Sequence, residues 1–374
     1  MAGASESTLI HRETRALVLL ITIAVAAFVL TRAVAHANQE RRQRDAQAWF
    51  ARGTSAWQRG DAELAAQQLR RAAALEPPNL PVRLALAAAL TSANAVGEAR
   101  SVLLEARAGA PENADVSLAL GRLEAAHGDP SATISAYQSA LNDLWRQSDA
   151  PARYQIRSEL AHYLLAHAQR GRALSVLLIL TADMPDTAVA HADVGRMMLA
   201  AGEPARALAQ LQQSLALTPS DQAVQLSAGQ AAFGAGDDVE ALGHLRAAAD
   251  LGPARDLAAV IALALSHDPL LPRLTAAERE RRLRAGLQQV KDRLAGCVTS
   301  PDSTPDIAGL ALQVQTFENS LAARSKRRGE PVVDLIDDGV ELIARVENET
   351  TGCGVASPLD QALSLIGRRH EARS

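Results

Sequence analysis

Aromatic residues are scarce in this sequence: Phe, Tyr and Trp together make up 3% of it. A large closed core draws on such bulky side chains, so their shortage argues against one globular core spanning the whole chain. Cysteine is nearly missing, with only Cys297 and Cys353 present. The two are far apart and the histidines are scattered singly, which excludes a zinc site of ordinary spacing. No glycine-rich phosphate loop precedes a lysine, and neither Gly-x-Ser-x-Gly nor His-Glu-x-x-His occurs. Asp337 and Asp338 adjoin, but neighbouring helix residues point apart and make no working carboxylate pair. These absences point away from an enzyme, so no catalytic residue, cofactor, metal or small-molecule substrate is expected.

A basic face is lacking as well. The formal net charge is −4, and residues 1–37 hold three arginines against two glutamates, which leaves −5 for the rest. A nucleic-acid partner is therefore not expected. The densest basic run, Arg279 to Arg284, alternates with acids and reads as a solvated helix side. Lysine occurs only at Lys291 and Lys326, a bias without functional weight.

What the chain has in abundance is Ala and Leu, within an apolar share of 48%. These are strong helix formers, and they recur with a fixed period. Small residues stand at Gly53, Ala87, Gly121, Ala161, Gly195 and Gly229, and again at Ala65, Ala99, Thr133, Ala173, Ala207 and Ala241. Large apolar residues stand between them, at Leu69, Leu103, Tyr137, Leu177, Leu211 and Leu245. A fourth column reads Ala72, Ala106, Ala140, Leu180, Ser214 and Ala248. Near each end come Pro77, Pro111, Trp145, Pro185, Pro219 and Pro253. The spacing is 34 residues except where Ser148 to Arg153 add six before the fourth stretch. Small residues let the two helices of a hairpin approach closely, and proline stops the second helix.

The pattern resembles the tetratricopeptide repeat family, with repeats at 46–79, 80–113, 114–147, 154–187, 188–221 and 222–255. The resemblance implies an all-α fold: a right-handed superhelical solenoid of about six hairpins over 38–255. Repeat 3 departs by carrying Trp145 in place of proline, so a longer helix is expected at its end. A small helical domain is expected over 256–374. It begins with a capping helix at Leu257 to Ser266, and a second helix starts at the capping box Thr275-Ala-Ala-Glu278. Further helices are expected after Pro305, Pro331 and Pro358, with loops at Ser300 to Pro305 and Arg324 to Gly329.

The amino end, 1–37, carries an uncharged run from Ala16 to Leu30 behind Arg12 and Arg15. It extends to Ala35 if Arg32 snorkels, giving a transmembrane helix at about 16–35. Ala35-His36-Ala37 then fits a signal-peptidase cut. An uncleaved anchor is the expectation, with a cleaved signal peptide as the alternative. The arginine count around the span favours cytoplasmic repeats. The cleavage pattern and the Cys297–Cys353 pair, read as a disulfide, favour export. The reading taken is a single pass in a bacterial inner membrane with the repeats in the periplasm; a soluble periplasmic form and repeats on the cytoplasmic side stay open.

The family resemblance further implies that the first helix of each repeat lines a concave groove. The groove places of the first repeat would be Phe50, Thr54 and Trp57. Equivalents of Thr54 are Ala88, Arg122, His162, Arg196 and Gln230, a row that offers Arg, His and Arg from three successive repeats. Glu159 and Asp193 stand beside that row and either orient these donors or neutralise them. The Lys and Asn of the family's clamp for chaperone tails are missing, so that ligand is not expected. The function expected is a membrane-tethered, non-enzymatic scaffold that binds a protein or extended peptide in the groove. An accessory subunit of a cell-envelope enzyme or polysaccharide export complex is the alternative.

Overall fold

The computed structural model describes residues 3–145, 149–298, 306–325 and 333–372. Among the described residues all regular structure is α-helical, in 17 helices. The chain divides into two compact units, one formed by 1–167 with 178–183 and the other by 168–177 with 184–374.

In the first unit, α1 runs unbroken for 56 residues from Gly3 to Gln58. At 1.5 Å per residue it is about 84 Å long. Its Ile21–Gln58 portion holds the only stretch among the described residues that is long and apolar enough to cross a membrane. Ile23, Phe28 and Leu30 on it are exposed, so this is no buried core helix. The same helix continues into the first repeat and pairs with α2 (Ala62–Leu75). Then come α3 (Leu80–Ser92) with α4 (Val96–Gly109), and α5 (Ala114–His127) with α6 (Pro130–Trp145). α7 (Ala150–Ala166) completes the series. Of the residues inserted before repeat 4, 150–153 form the first turn of α7, which Asp149 caps by accepting from Ala152 N. α6, at 16 residues, is longer than α2 and α4 at 14 each, as expected for the end of repeat 3.

The small-residue columns do what their size allows. A Cβ added to Gly53 would lie 2.6 Å from Leu69 Cγ, and Gly121 lies against the Tyr137 ring. Ala65, Leu69, Ala87, Leu103 and Ala106 are all buried in one cluster that α1 to α6 share. The proline column follows the second helices: Pro77 comes after α2 ends at Leu75, and Pro111 after α4 ends at Gly109. Two residues further, Asn79 and Asn113 accept from Val82 N and Val116 N at 3.3 and 3.1 Å. Each such cap contributes about 1 kcal/mol and fixes where the next helix begins.

α8 (Arg170–Leu180) is shared between the units. In the second unit follow α9 (Ala188–Ala201), α10 (Pro204–Leu217), α11 (Gln222–Gly234) and α12 (Asp238–Ala247). The column logic recurs, with Gly195 against Leu211 and Gly229 against Leu245 at the same 2.6 Å spacing. Thr187 and Asp221 cap α9 and α11 at the places equivalent to Asn79 and Asn113. α13 (Gly252–His267) covers the expected capping segment and has Pro253 in its first turn.

The last four helices are α14 (Ala276–Val298), α15 (Asp306–Ser325), α16 (Val333–Glu349) and α17 (Pro358–Glu371). They share a core with Ala264 of α13, built on Leu283, Leu287, Val314, Val346 and Leu363. Ser357 and Asp360 form a capping box at the start of α17. Cys297 and Cys353 are bonded as a disulfide, with Cα atoms 5.3 Å apart. The loop expected at 300–305 lies outside the described residues, as do 326–329; Arg324 and Ser325 still belong to α15.

The basic run at 279–284, expected as a solvated helix side, is not uniformly solvated. Arg279 donates to the carbonyls of Pro269 and Leu271, and Arg282 to those of Leu265 and Asp268. These two half-buried arginines hold the 265–274 connection, while Arg281 and Arg284 are exposed and pair along the helix with Glu278 and Glu280. Residues 279 and 282 are one turn apart, so they share a face, and that face meets the preceding loop.

Candidate functional site

The helix positions just after the small-residue column are the ones the packing leaves open. On α1 this is Thr54, on α3 Ala88, on α5 Arg122 and on α7 His162. The residue before each must be small to admit the second helix of its hairpin, so the next residue turns away from that contact.

Between α3 and α5 this face opens into a crevice of about 470 Å³. Leu84, Ala88 and Thr91 line it from α3, and Asp115, Leu118 and Arg122 from α5. Ala88 is the smallest member of its row, and the missing side-chain volume is what makes the space. Asp115 and Arg122 stand seven residues apart on α5, about 10 Å along the axis, with Leu118 between them. The crevice therefore has an apolar middle and charges of opposite sign on α5. Trp57 is 46% exposed, and its Nε1 donates to Ser92 Oγ at 3.4 Å. Phe50, by contrast, is half-buried against the core of the first three repeats. The ring of its neighbour Trp49 carries the guanidinium groups of Arg52 and Arg71, each 4.7 Å from the centroid.

Arg122 does not project alone. It donates from Nε and Nη2 to the two carboxylate oxygens of Glu159 at 2.9 and 2.7 Å, joining α5 to α7. Glu159 also accepts from Tyr137 Oη at 3.4 Å and Gln155 Nε2 at 3.3 Å. Burial works to raise the Glu159 carboxyl, but Arg122 outweighs it and holds the group below the usual range. Burial, with the Glu159 charge adding, pushes the Tyr137 hydroxyl up to about 12. The acid beside the row is thus a local partner of Arg122.

His162 is exposed on α7 in this unit. Arg196 on α9 and Gln230 on α11 occupy the same row position in the second unit, both exposed. Further along α7, the sequence reading missed a charged cluster. Arg153 and the buried Arg157 both pair with Asp183, Arg153 Nη2 reaching it at 2.8 Å. Hydrogen bonding from Arg153 holds the Asp183 carboxyl low. These partners lie 26 and 30 residues apart, so local spacing gives no sign of them. No group of three or more His, Cys, Asp or Glu that could hold a metal ion occurs among the described residues.

Two family models, each described as tetratricopeptide repeat, match the chain, one at residues 56–123 and the other at 23–79 and 195–256. No curated protein matches the sequence. Among solved structures, YrrB, titled a TPR protein with an unusual peptide-binding site, is 18% identical with a TM-score of 0.42. That match covers 52% of this chain and 96% of YrrB. The C-terminal part of a TPR repeat-containing protein from Cytophaga hutchinsonii is 12% identical with a TM-score of 0.47, over 63% of this chain and 93% of that one. PilF of Pseudomonas aeruginosa is 18% identical with a TM-score of 0.34, over 75% and 99%.

Proposed function

Because this chain is a tetratricopeptide-repeat protein, we propose that it is a non-enzymatic scaffold holding a partner protein or extended peptide in its repeat groove. The observation that carries this reading is the crevice between α3 and α5. An extended segment can place one aliphatic side chain over Leu84, Ala88 and Leu118, with a basic group toward Asp115 and an acidic one toward Arg122. An acid on the partner would exchange for Glu159, replacing one bidentate ion pair with another. Arg122 then sets register and selectivity more than net affinity. The apolar contact supplies most of the attraction.

The tether is the apolar, exposed stretch of α1 that begins at Ile21, and the helix enters the first repeat without a break. Anchorage in a bacterial inner membrane with the repeats in the periplasm accords with the Cys297–Cys353 bond, since disulfides persist in oxidising compartments.

The test is affinity purification of the protein from detergent-solubilised membranes, with and without residues 1–37, beside an Ala88→Arg variant that fills the crevice. A partner retained by the wild type and by the shortened chain, and lost from Ala88→Arg, supports the scaffold reading. Retention of the same partner by Ala88→Arg contradicts it. A reporter active only after export, fused to the repeats, tests the side of the membrane.

A further inference from the structure

The second unit contains another cavity, of about 580 Å³, within the volume range typical of small-molecule sites. Phe233, Pro253, Leu257, Val260 and Leu365 give it apolar walls. Arg293 of α14 and Glu347 of α16 also line it, and both side chains are more than nine-tenths buried.

The hydrogen bonds of these two residues are unequal. Arg293 donates from Nε to Thr350 Oγ1 at 2.7 Å and from Nη2 to the Thr350 carbonyl at 2.8 Å. From Nη1 it donates to Asp360 Oδ2 at 2.9 Å. Asp360 is satisfied further by Gln289 Nε2 and the Ser357 backbone N–H. Glu347 receives only a 3.5 Å ion-pair approach from Arg293 to its Oε2. Its Oε1 is buried and has no hydrogen-bond partner. Buried polar atoms of folded proteins nearly always have one. The cluster thus sets one guanidinium against two carboxylates, and the acid in excess is the one that lacks a donor. The remaining charged lining groups, Asp256 and Arg368, are exposed and opposite in sign.

We propose that this cavity binds a small molecule carrying a protonated primary amine on an apolar body, with the ammonium donating to Glu347 Oε1. The amine supplies both the missing donor and the missing positive charge, and its body covers Phe233, Leu257 and Val260. An anion is disfavoured, because Arg293 is already engaged and the acids outnumber it.

The ionisation of Glu347 adds a pH signature. Burial, with the Asp360 charge adding, pushes its carboxyl up to about 7 against the opposing pull of Arg293. The ionised fraction then rises from roughly a tenth at pH 6 to roughly nine-tenths at pH 8, and affinity for an ammonium rises roughly tenfold in step. The experiment is calorimetric titration of the full chain in non-ionic detergent with phenethylamine, and with neutral 2-phenylethanol as its counterpart, at both pH values. Saturable amine binding is expected, roughly tenfold tighter at pH 8, with the alcohol bound at least about tenfold more weakly. Glu347→Gln, which keeps the side chain's shape, and Ser364→Trp, which fills the cavity from α17, should each abolish it while the melting transition stays cooperative. The proposal is overturned if phenethylamine fails to bind, if it binds either variant as it binds the wild type, or if the alcohol binds equally well.

Discussion

Gly53 lies so close to Leu69 that a Cβ on the glycine would fall 2.6 Å from the leucine Cγ. Gly195 with Leu211 and Gly229 with Leu245 repeat the arrangement. A side chain at these glycines forces the facing leucine out of its rotamer. Gly229→Val should therefore destabilise the fold by about 1–3 kcal/mol. Gly243, in the middle of α12 with nothing within 4 Å of an added Cβ, gives the opposite outcome. Gly243→Ala should stabilise by about 0.5–1 kcal/mol. Denaturant midpoints of the two variants check both signs, and equal shifts would refute the close-approach account.

The Cys297–Cys353 bond ties the end of α14 to the connection before α17 across a sequence separation of 56. Closing a loop of that length stabilises by about 4 kcal/mol on the chain-entropy argument. Mass mapping without reductant should recover the linked peptides from protein made in its native host, and reductant should lower the melting temperature. Alkylation of both thiols without reductant would remove the bond and, with it, the main support for export.

Glu347 makes stability pH-dependent in the less common direction. Its folded pKa of about 7 lies above that of an exposed glutamate, so the native state holds the proton longer than the unfolded chain does. Stability is therefore full below the unfolded pKa, falls as pH rises through the interval up to about 7, and then levels. The loss is on the order of 3 kcal/mol. Urea midpoints at pH 5 and pH 8 should differ accordingly in the wild type, and Glu347→Gln should flatten the difference. An unchanged slope in that variant would assign the effect to another group.

The four arginines in the first turns of α14, Arg279, Arg281, Arg282 and Arg284, divide by face. Replacing Arg279 and Arg282 by alanine removes several bonds to loop carbonyls and should cost about 2–4 kcal/mol. The same change at the exposed Arg281 and Arg284, whose ion pairs are screened by solvent, should leave the melting temperature nearly unchanged. Thermal melts of the two double variants distinguish them.

The helical hairpins were legible because their geometry is local. Gly53 and Leu69 are 16 residues apart in every repeat, and close helix packing demands a small residue opposite a large one. The caps Asn79, Asn113, Thr187 and Asp221 follow the proline column by two places, a period that the sequence also carries and that was not read from it. Of the charge pairs, Glu159 was read as a neighbour of the Arg122 row, but the others were not legible. Arg157 with Asp183 and Arg293 with Asp360 join positions 26 and 67 residues apart. Such partners are set by which helix faces meet, and arginine and acid residues occur on every face. The crevice by α3 was half-visible: Ala88 stands out in its row, but a missing side chain marks a cavity only once its neighbours are placed.

A photoreactive residue at Thr91, inside the crevice between α3 and α5, tests most directly whether that groove holds the partner. Irradiation of intact cells should give one discrete crosslinked species from Thr91. The same probe at the exposed Arg284 should give none, and Ala88→Arg should abolish the Thr91 product. Equal labelling from Thr91 and Arg284, or a Thr91 product that survives Ala88→Arg, would show that the partner does not occupy this groove.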